Sequence, residues 1–161
     1  MDTFTELANG MTIVRTSKLP WMPWAGPGTW CKVLHLDVSH DRTTLMIKVE
    51  PNTPLGEHHH LGDAEAYILE GDFTYEHGGA QAGDYLCEKG GIKHVPKTGD
   101  QGLVLFGMNY GAIHGINPDG TLAGVVNQDF YYDGAVQQNT HHHLKVTLGR
   151  DARAVTATAS Q

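Results

Sequence analysis

Histidine is the residue type in this sequence that is best suited to chemistry, with 11 copies in 161 residues. Six of them form two triplets, at residues 58–60 and 141–143. Because successive side chains of a β-strand point to opposite faces, His58 and His60 would project together while His59 points away. Two imidazoles on one strand face can share an Fe, Zn, Ni or Cu ion. For the triplet alone, three adjacent surface histidines in a loop remain an equal alternative.

A later segment supplies a third candidate ligand. From Gly83 to His94 the sequence reads as a short strand, a glycine turn and a single histidine. A facial metal site requires a third ligand from a separate hairpin, and His94 would provide it. We therefore predict that His58, His60 and His94 are metal ligands.

The elements that would position these histidines are short strands. Leu45, Ile47 and Val49 alternate with more polar residues, a period of two that predicts a half-buried strand. Strand-like segments recur every 8–12 residues, which is typical of a β-sandwich or barrel. Further strands are predicted at 30–36, 66–69, 72–75, 85–87, 103–106 and 112–116, with tight turns at Gly71-Asp72, Gly78-Gly79 and Asp119-Gly120.

The two ends of the chain carry weaker signals. Residues 1–20 are predicted to form an N-terminal arm that Trp21 and Trp24 could anchor on the domain. One domain is predicted over residues 21–135, followed by a partly flexible C-terminal extension at 136–161.

The segment from Gln128 to Leu148 is ambiguous. A helix could begin at Phe130, but Asp133-Gly134 is expected to interrupt it. The tail from Arg150 to Gln161 is expected to fray.

Composition excludes several classes of partner. The chain has 11 Lys and Arg against 18 Asp and Glu, a net charge of −7, without a basic cluster that could neutralise nucleic-acid phosphates. Its apolar runs are far shorter than the ~20 residues of a transmembrane helix, so no membrane partner is expected. The N-terminus lacks a secretion signal, and two cysteines make no disulfide framework. A cytoplasmic protein is expected.

The two histidine segments resemble the two signature motifs of the cupin superfamily. The first motif is histidine, any residue, histidine, three or four residues, glutamate, about six residues and glycine. The second is glycine, five residues, proline, any residue, glycine, two residues and histidine; Lys89 occupies its proline position. The matching positions are His58, His60, Gly71, Gly83, Gly91 and His94. The resemblance implies an all-β cupin fold, a double-stranded β-helix or jelly-roll barrel.

One departure narrows the resemblance. Cupins with a carboxylate ligand place it about six residues before the closing glycine, and here that position is Ala64. Glu65 is adjacent and would face the site only if a local bulge rotated it inward, so a fourth ligand stays open. The pattern is similar to the three-histidine cupin dioxygenases. It resembles the 2,4'-dihydroxyacetophenone dioxygenase family from about Trp21 to Asp133, and more distantly the acetylacetone dioxygenases.

The resemblance also implies a catalytic residue. Both families have a glutamate six residues before the third histidine, and here that residue is Glu88. It would accept a hydrogen bond from a ligand histidine or take a proton from the substrate; the alternative is an exposed turn glutamate. Glu76 stands where the acetylacetone enzymes have a functional arginine, which argues against acetylacetone-type activity.

Three functions are compatible with such a site. The first is an Fe(II) dioxygenase that cleaves a carbon–carbon bond of a small diketone or hydroxyketone with O₂, with Zn, Ni or Mn as other candidate metals. The second is an O₂-independent isomerase or hydrolase. The third is a non-catalytic metal sensor, similar to the cupin half of zinc-binding anti-sigma factors. A homodimer is expected, with residues 1–20 adding a strand to a neighbour.

The remaining candidate residues are assigned structural roles. His35 and His114 are expected in the core, His77 and residues 141–143 at the surface, and Cys87 as a buried, inert thiol. The pocket walls are expected to come from inward-facing residues such as Tyr67, Leu69, Phe73 and Phe106.

Overall fold

A computed structural model describes residues 2–144 of the chain. Within this range it contains thirteen strands, a 3-10 turn at Val38–His40 and one α-helix, α1 (Gln128–Gln137). The strands are β1 (Phe4–Glu6), β2 (Thr12–Val14), β3 (Met22–Pro23), β4 (Thr29–Asp37), β5 (Arg42–Val49), β6 (His58–His60), β7 (Ala64–Tyr75), β8 (Gly78–Gln81), β9 (Tyr85–Glu88), β10 (Lys93–His94), β11 (Lys97–Tyr110), β12 (Ile113–Ile116) and β13 (Leu122–Val126).

The strands form three antiparallel sheets. The largest has the order β3-β4-β5-β11-β7-β8, and β9 also pairs with β7. A second sheet has the order β10-β6-β12-β13, and β1 pairs with β2. Residues from both larger sheets line one cavity, so the two sheets face each other across it. The predicted all-β class is confirmed.

The hydrophobic core lies on the inner face of the large sheet. In β5, Leu45, Ile47 and Val49 are buried, while Lys48 is exposed. This confirms the period-two pattern, which places every second side chain on the inner face. In β4 the same face carries Cys31, whose thiol pKa is raised to about 12 by burial.

Strand β7 departs from prediction at Gly71-Asp72. The strand continues through this dipeptide, which was predicted to be a tight turn. Gly71 has a φ of +74°, and its backbone lies against Gly102 of β11. The glycine therefore serves close strand packing within a long strand, a role that turn propensity alone does not reveal.

Of the other two predicted turns, one is confirmed. The Asp119-Gly120 turn is closed by a hydrogen bond from the Gly120 amide to the Asn117 carbonyl at 2.8 Å. Gly78-Gly79 instead opens β8, because the turn lies at Glu76-His77.

Replacing Gly71 with alanine is expected to destabilise the fold by about 3 kcal/mol. The alanine would have to adopt an unfavourable positive φ, and its Cβ would collide with the Gly102 carbonyl oxygen. Urea unfolding would measure this loss. Gly124→Ala is the matched control, since Gly124 is also a strand glycine, has no atom near the position of a Cβ and has an ordinary φ. Equal stability of the two variants would contradict this account of Gly71.

Helix α1 corrects the prediction for the segment after residue 128. It runs through Asp133-Gly134, which was expected to interrupt it. Its first turn is capped by Asn127, whose side-chain oxygen accepts a hydrogen bond from the Phe130 amide at 3.0 Å. Gly134 packs close to Met22 of β3, where a Cβ would lie 2.7 Å from the methionine methyl group. The glycine allows this close contact, despite its low helix propensity.

The N-terminal arm contains the β1–β2 hairpin. Trp21 lies against strand β4, with the Lys32 ammonium 4.5 Å from its ring centroid. Trp24 donates a hydrogen bond from Nε1 to the Tyr131 hydroxyl at 3.3 Å. The expected fraying of Arg150–Gln161 lies outside the described residues. Within residues 2–144, no helix is long and apolar enough to cross a membrane.

Candidate metal centre

Three imidazoles converge where β6 meets β10. The strands pair antiparallel with His94 opposite His58, and His60 lies one period further along β6. The Nε2 atom of His94 lies 2.8 Å from that of His58 and 3.2 Å from that of His60. The ligand atoms of all three lie within 4.8 Å of one another. The structure thus brings together the three histidines that the sequence predicted as ligands.

The orientation of His58 is set by its second ring nitrogen. Its Nδ1 donates a hydrogen bond to the Gly56 carbonyl at 2.9 Å. That bond places the ring proton on Nδ1 and leaves the Nε2 lone pair directed at the other imidazoles. Such a tautomer is the one that a metal ligand requires.

The cluster is held in the neutral form that binds metal. Burial lowers the pKa of His60 to about 3 and that of His94 to about 4, with further lowering from neighbouring histidines. Burial also lowers the pKa of His58. Because metal must otherwise compete with protons for imidazole, neutral rings at neutral pH favour coordination.

Glu88 lies directly beside this cluster. Its Oε2 is 3.4 Å from His60 Nε2, and its Oε1 is 3.3 Å from His94 Nδ1. Burial raises the pKa of the Glu88 carboxyl to about 7. Since both imidazoles are neutral, these are polar contacts rather than ion pairs.

One donor in the cluster lacks a partner in the described part of the chain. His94 Nδ1 is buried without a hydrogen bond, although Glu88 Oε1 is only 3.3 Å away. A small rotation would join the two groups, as a carboxylate joins the outer nitrogen of a metal-bound histidine. Three neutral nitrogen donors, with this carboxylate beside His60 and His94, fit a divalent metal ion.

Glu65 is not part of the cluster. Along β7 and β9, Ala64 pairs with Glu88 and Glu65 pairs with Cys87, so the two pairs face opposite sides of the sheet. The pairing is regular here, without the bulge that would turn Glu65 inward. Within residues 2–144, the group of side chains placed to hold a metal ion contains only the three histidines. Cys87 shares the outward face and is exposed, which corrects its prediction as a buried thiol.

The cluster opens onto a cavity of about 660 Å³. Most of its lining is apolar, so it can hold the carbon skeleton of a small organic molecule against the polar cluster. Side chains from both sheets contribute, among them Leu45, Ile47, Phe73, Leu86, Leu105 and Ile113.

Only one of the four predicted wall residues lines this cavity. Phe73 is buried and lines it. The other three are exposed, because their side chains point to the outer face of the large sheet: Tyr67, Leu69 and Phe106. Apolar character alone did not distinguish the two faces of the sheet.

The sequence analysis missed a polar group in the cavity wall. Asn109 lines the cavity, and its Nδ2 lies 3.4 Å from the Tyr131 hydroxyl, which also accepts the bond from Trp24. Alternation along β11 could have predicted it, because Leu105, Gly107 and Asn109 are spaced two residues apart and all three line the cavity.

The other histidines lie away from the centre. His59 faces outward between Lys93 and His114, with which it pairs across the sheet. His35 and His114 were both predicted to lie in the core. The structure corrects this, because His114 is half-buried and His35 is exposed. His77 is exposed, as predicted.

The second triplet is only partly at the surface. His142 is exposed, but His143 is buried and donates from Nε2 to the Val33 carbonyl at 2.8 Å. This bond satisfies a backbone carbonyl of β4, so His143 corrects the prediction of a solvated triplet.

Comparison with known proteins identifies the family. The ChrR Cupin-like domain matches residues 9–114, well over half of the chain. The chain belongs to this cupin family. No curated protein sequence matches it.

Solved structures share the fold of this cupin. An RmlC-like cupin from Ralstonia eutropha is 20% identical, covers 82% of this chain and 88% of its own, and has a TM-score of 0.72. An acetylacetone dioxygenase from Acinetobacter johnsonii is 16% identical and has a TM-score of 0.71. The match covers 85% of this chain and 99% of the dioxygenase chain. The anti-sigma factor ChrR from Rhodobacter sphaeroides, solved in complex with SigE, is 18% identical and has a TM-score of 0.51. The match covers 59% of this chain and 51% of the ChrR chain. These likenesses confirm the predicted cupin jelly roll.

Proposed function

We propose that this cupin is a non-haem Fe(II) dioxygenase that cleaves a carbon–carbon bond of a small hydroxyketone or diketone. The supporting observation is the meeting of three neutral imidazoles and one half-buried carboxylate on the wall of an apolar cavity of about 660 Å³. His58, His60 and His94 would hold the metal. Fe(II) bound there would supply the electrons that activate O₂ and the positions that orient both reactants.

The charge of the ligand set favours an anionic substrate. Three neutral imidazoles leave the +2 charge of a divalent ion uncompensated, so an enolate or an ionised α-hydroxyketone, with two oxygens and one negative charge, is preferred over a neutral ligand. Glu88 is positioned to accept the proton that the substrate loses. The apolar walls would hold the carbon skeleton and exclude water.

The expected products follow from the balance of atoms. For a 2-hydroxyketone, the bond between the carbonyl carbon and the carbinol carbon breaks, and both atoms of O₂ enter the products. Two carboxylic acids result, without any other oxidant or reductant. A diketone enolate would be cleaved by the same class of reaction.

A metal-dependent sensor is the second candidate. It is favoured by the ChrR family match and by the fold likeness to ChrR, which binds SigE. Such a role needs the metal-binding cluster, but it does not require turnover. Glu76, which is exposed in the β7–β8 turn where the acetylacetone enzymes have a functional arginine, continues to argue against acetylacetone as the substrate.

Oxygen uptake is the decisive test. The protein would be stripped of metal, reloaded anaerobically with Fe(II) and offered a panel of 1,3-diketones and hydroxyacetophenones. We expect uptake that requires Fe(II), follows one substrate class and consumes one O₂ per substrate. Loading with Zn(II) is the matched control and should give no uptake, because Zn(II) has no redox chemistry.

Failure of this test would be informative. Stoichiometric metal binding without uptake on any substrate would contradict the dioxygenase and favour the sensor. Substrate conversion without oxygen consumption would favour an O₂-independent isomerase or hydrolase at the same centre.

A further inference from the structure

We propose that Asn109 forms a second polar subsite of the cavity, which binds a neutral hydroxyl group at the end of the ligand remote from the three histidines. This subsite rests on the proposed function, because it would hold the far end of the same substrate. Asn109 lies in β11 and lines the cavity. Its amide is a polar group that the metal centre does not use.

Strand register places Asn109 and Glu88 on the same inner face of the large sheet. Asn109 pairs with Ala64 of β7, and Ala64 pairs with Glu88 of β9. Directly paired residues project to the same side of a sheet, and all three line the cavity. Because adjacent strands are about 4.8 Å apart, the backbones at Asn109 and Glu88 are separated by about 10 Å. The amide and the carboxylate therefore lie at two sides of one cavity wall.

Small side chains occupy the sheet between these two polar groups. Ala64 lies directly between them, and Gly107 and Ala66 form a neighbouring pair of β11 and β7. All three line the cavity. This wall therefore leaves room for the carbon skeleton of a ligand that reaches from Glu88 to Asn109. The cavity volume of about 660 Å³ is within the range of sites that enclose a small organic molecule.

The Asn109 amide is anchored by Tyr131 of helix α1. Its Nδ2 donates to the Tyr131 hydroxyl at 3.4 Å, and the same hydroxyl accepts a hydrogen bond from Trp24 Nε1 at 3.3 Å. Tyr131 is only 2% exposed, so this anchor is shielded from water. A side chain that is already held in place loses little freedom when a ligand binds, which favours recognition.

Part of the Asn109 amide remains available to a ligand. An asparagine side chain has two N–H donors and one carbonyl acceptor. Among the described residues, the side chain of Asn109 makes one hydrogen bond, the one to Tyr131. One N–H and the carbonyl oxygen are therefore without a protein partner. A hydroxyl group matches this pair, because it can accept one hydrogen bond and donate another.

The charge of the cavity wall favours a neutral end group. Within residues 2–144, no lysine or arginine lines the cavity. A carboxylate at this end of the ligand would lose its hydration without gaining a cation. An ammonium group only donates, so the amide N–H would stay unpaired, and an apolar group would leave both amide groups unpaired. A hydroxyl is the end group that satisfies the site.

Direct binding of matched ligands tests the subsite. Calorimetry would use the Zn(II)-loaded protein, in which the chelating end of a ligand can bind without turnover. The ligands are phenyl hydroxyketones that carry a hydroxyl, a methyl or a carboxylate group on the ring, opposite the chelating end. We expect the hydroxyl form to bind about tenfold more tightly than the methyl form, and the carboxylate form to bind most weakly.

Asn109→Leu should abolish the preference for the hydroxyl form, because leucine has a similar size and no polar atoms. This variant should still bind the methyl form at least as tightly as the wild type does. Tyr131→Phe should reduce the preference, since the amide loses its anchor but keeps its own polar groups. Thr43→Val is the matched control. Thr43 pairs with Asn109 from β5 and is buried, but it does not line the cavity, so the preference should persist.

Several results would overturn the subsite. They are equal binding of the hydroxyl and methyl forms by the wild type, tightest binding of the carboxylate form, a preference that survives in Asn109→Leu, and no binding of any of the three ligands. Circular dichroism and metal content would establish that the variants are folded. A preference that depends on Asn109, without oxygen uptake by the Fe(II)-loaded protein, would contradict only the dioxygenase. Oxygen uptake without the preference would contradict only the subsite.

Discussion

Replacing His94 with alanine is expected to abolish stoichiometric binding of a divalent metal ion. His94 Nε2 lies within 3.2 Å of the Nε2 atoms of both His58 and His60, so its loss leaves two donors where three converge. Because loss of even an indirect partner of a metal ligand costs 10- to 100-fold in affinity, loss of a ligand should cost more than about 100-fold. Metal content after equilibrium dialysis would measure it.

His59→Ala is the control for this experiment. His59 belongs to the same triplet but faces outward, beside Lys93 and His114. The variant should keep full metal content. If His94→Ala retained full metal, or if both variants lost it equally, the assignment of His94 as a ligand would be wrong.

Replacing Glu88 with glutamine is expected to preserve metal binding and to reduce turnover by about 10²- to 10⁴-fold. Glutamine has nearly the same shape as glutamate, so the contacts with His60 and His94 persist in form, but an amide cannot take up the substrate proton. Metal content and the rate of oxygen uptake, measured on the same preparation, separate the two effects.

Glu65→Gln is the matched control for Glu88→Gln. It makes the same chemical change on the neighbouring strand, where the side chain lies on the opposite face from Glu88, beside Tyr85. This variant should keep both metal and turnover. Unchanged turnover in Glu88→Gln would make Glu88 a structural residue, and loss of metal would contradict the expected separation of metal binding from turnover.

The metal cluster could be predicted because it depends on local geometry. Alternation along a strand places His58 and His60 on one face whatever the rest of the fold does. The same rule predicted the buried series of β5, in which every second residue is apolar. Motif spacing then connected His94 to the pair across more than 30 intervening residues, a relation that local propensity could not supply.

The pocket walls could not be predicted because both faces of the large sheet carry large apolar residues. Tyr67 and Phe106 have the composition of core residues, yet they lie on the outer face. In addition, β7 has a β-bulge at Leu69, where its register with β11 shifts. Beyond the bulge the alternation of inward and outward side chains is reversed, so a count from one end of the strand assigns the residues at the other end to the wrong face.

Glycine was misleading in two elements for the same reason. Gly71 and Gly134 were both interpreted as interruptions, since glycine is frequent in turns. In the structure each glycine instead allows close packing, against Gly102 in one case and Met22 in the other. Distinguishing these roles requires knowledge of which segments are neighbours in space.

The pairing of Ala64 with Glu88 bears on which strand supplies the carboxylate at such a centre. The resemblance implies that cupins with a carboxylate ligand carry it at the position of Ala64, and here the carboxylate lies directly across the β7–β9 pair. Exchanging the two side chains would need substitutions at only two positions, with all three histidines unchanged. The cross-strand pair therefore determines whether the carboxylate approaches the three imidazoles from β7 or from β9.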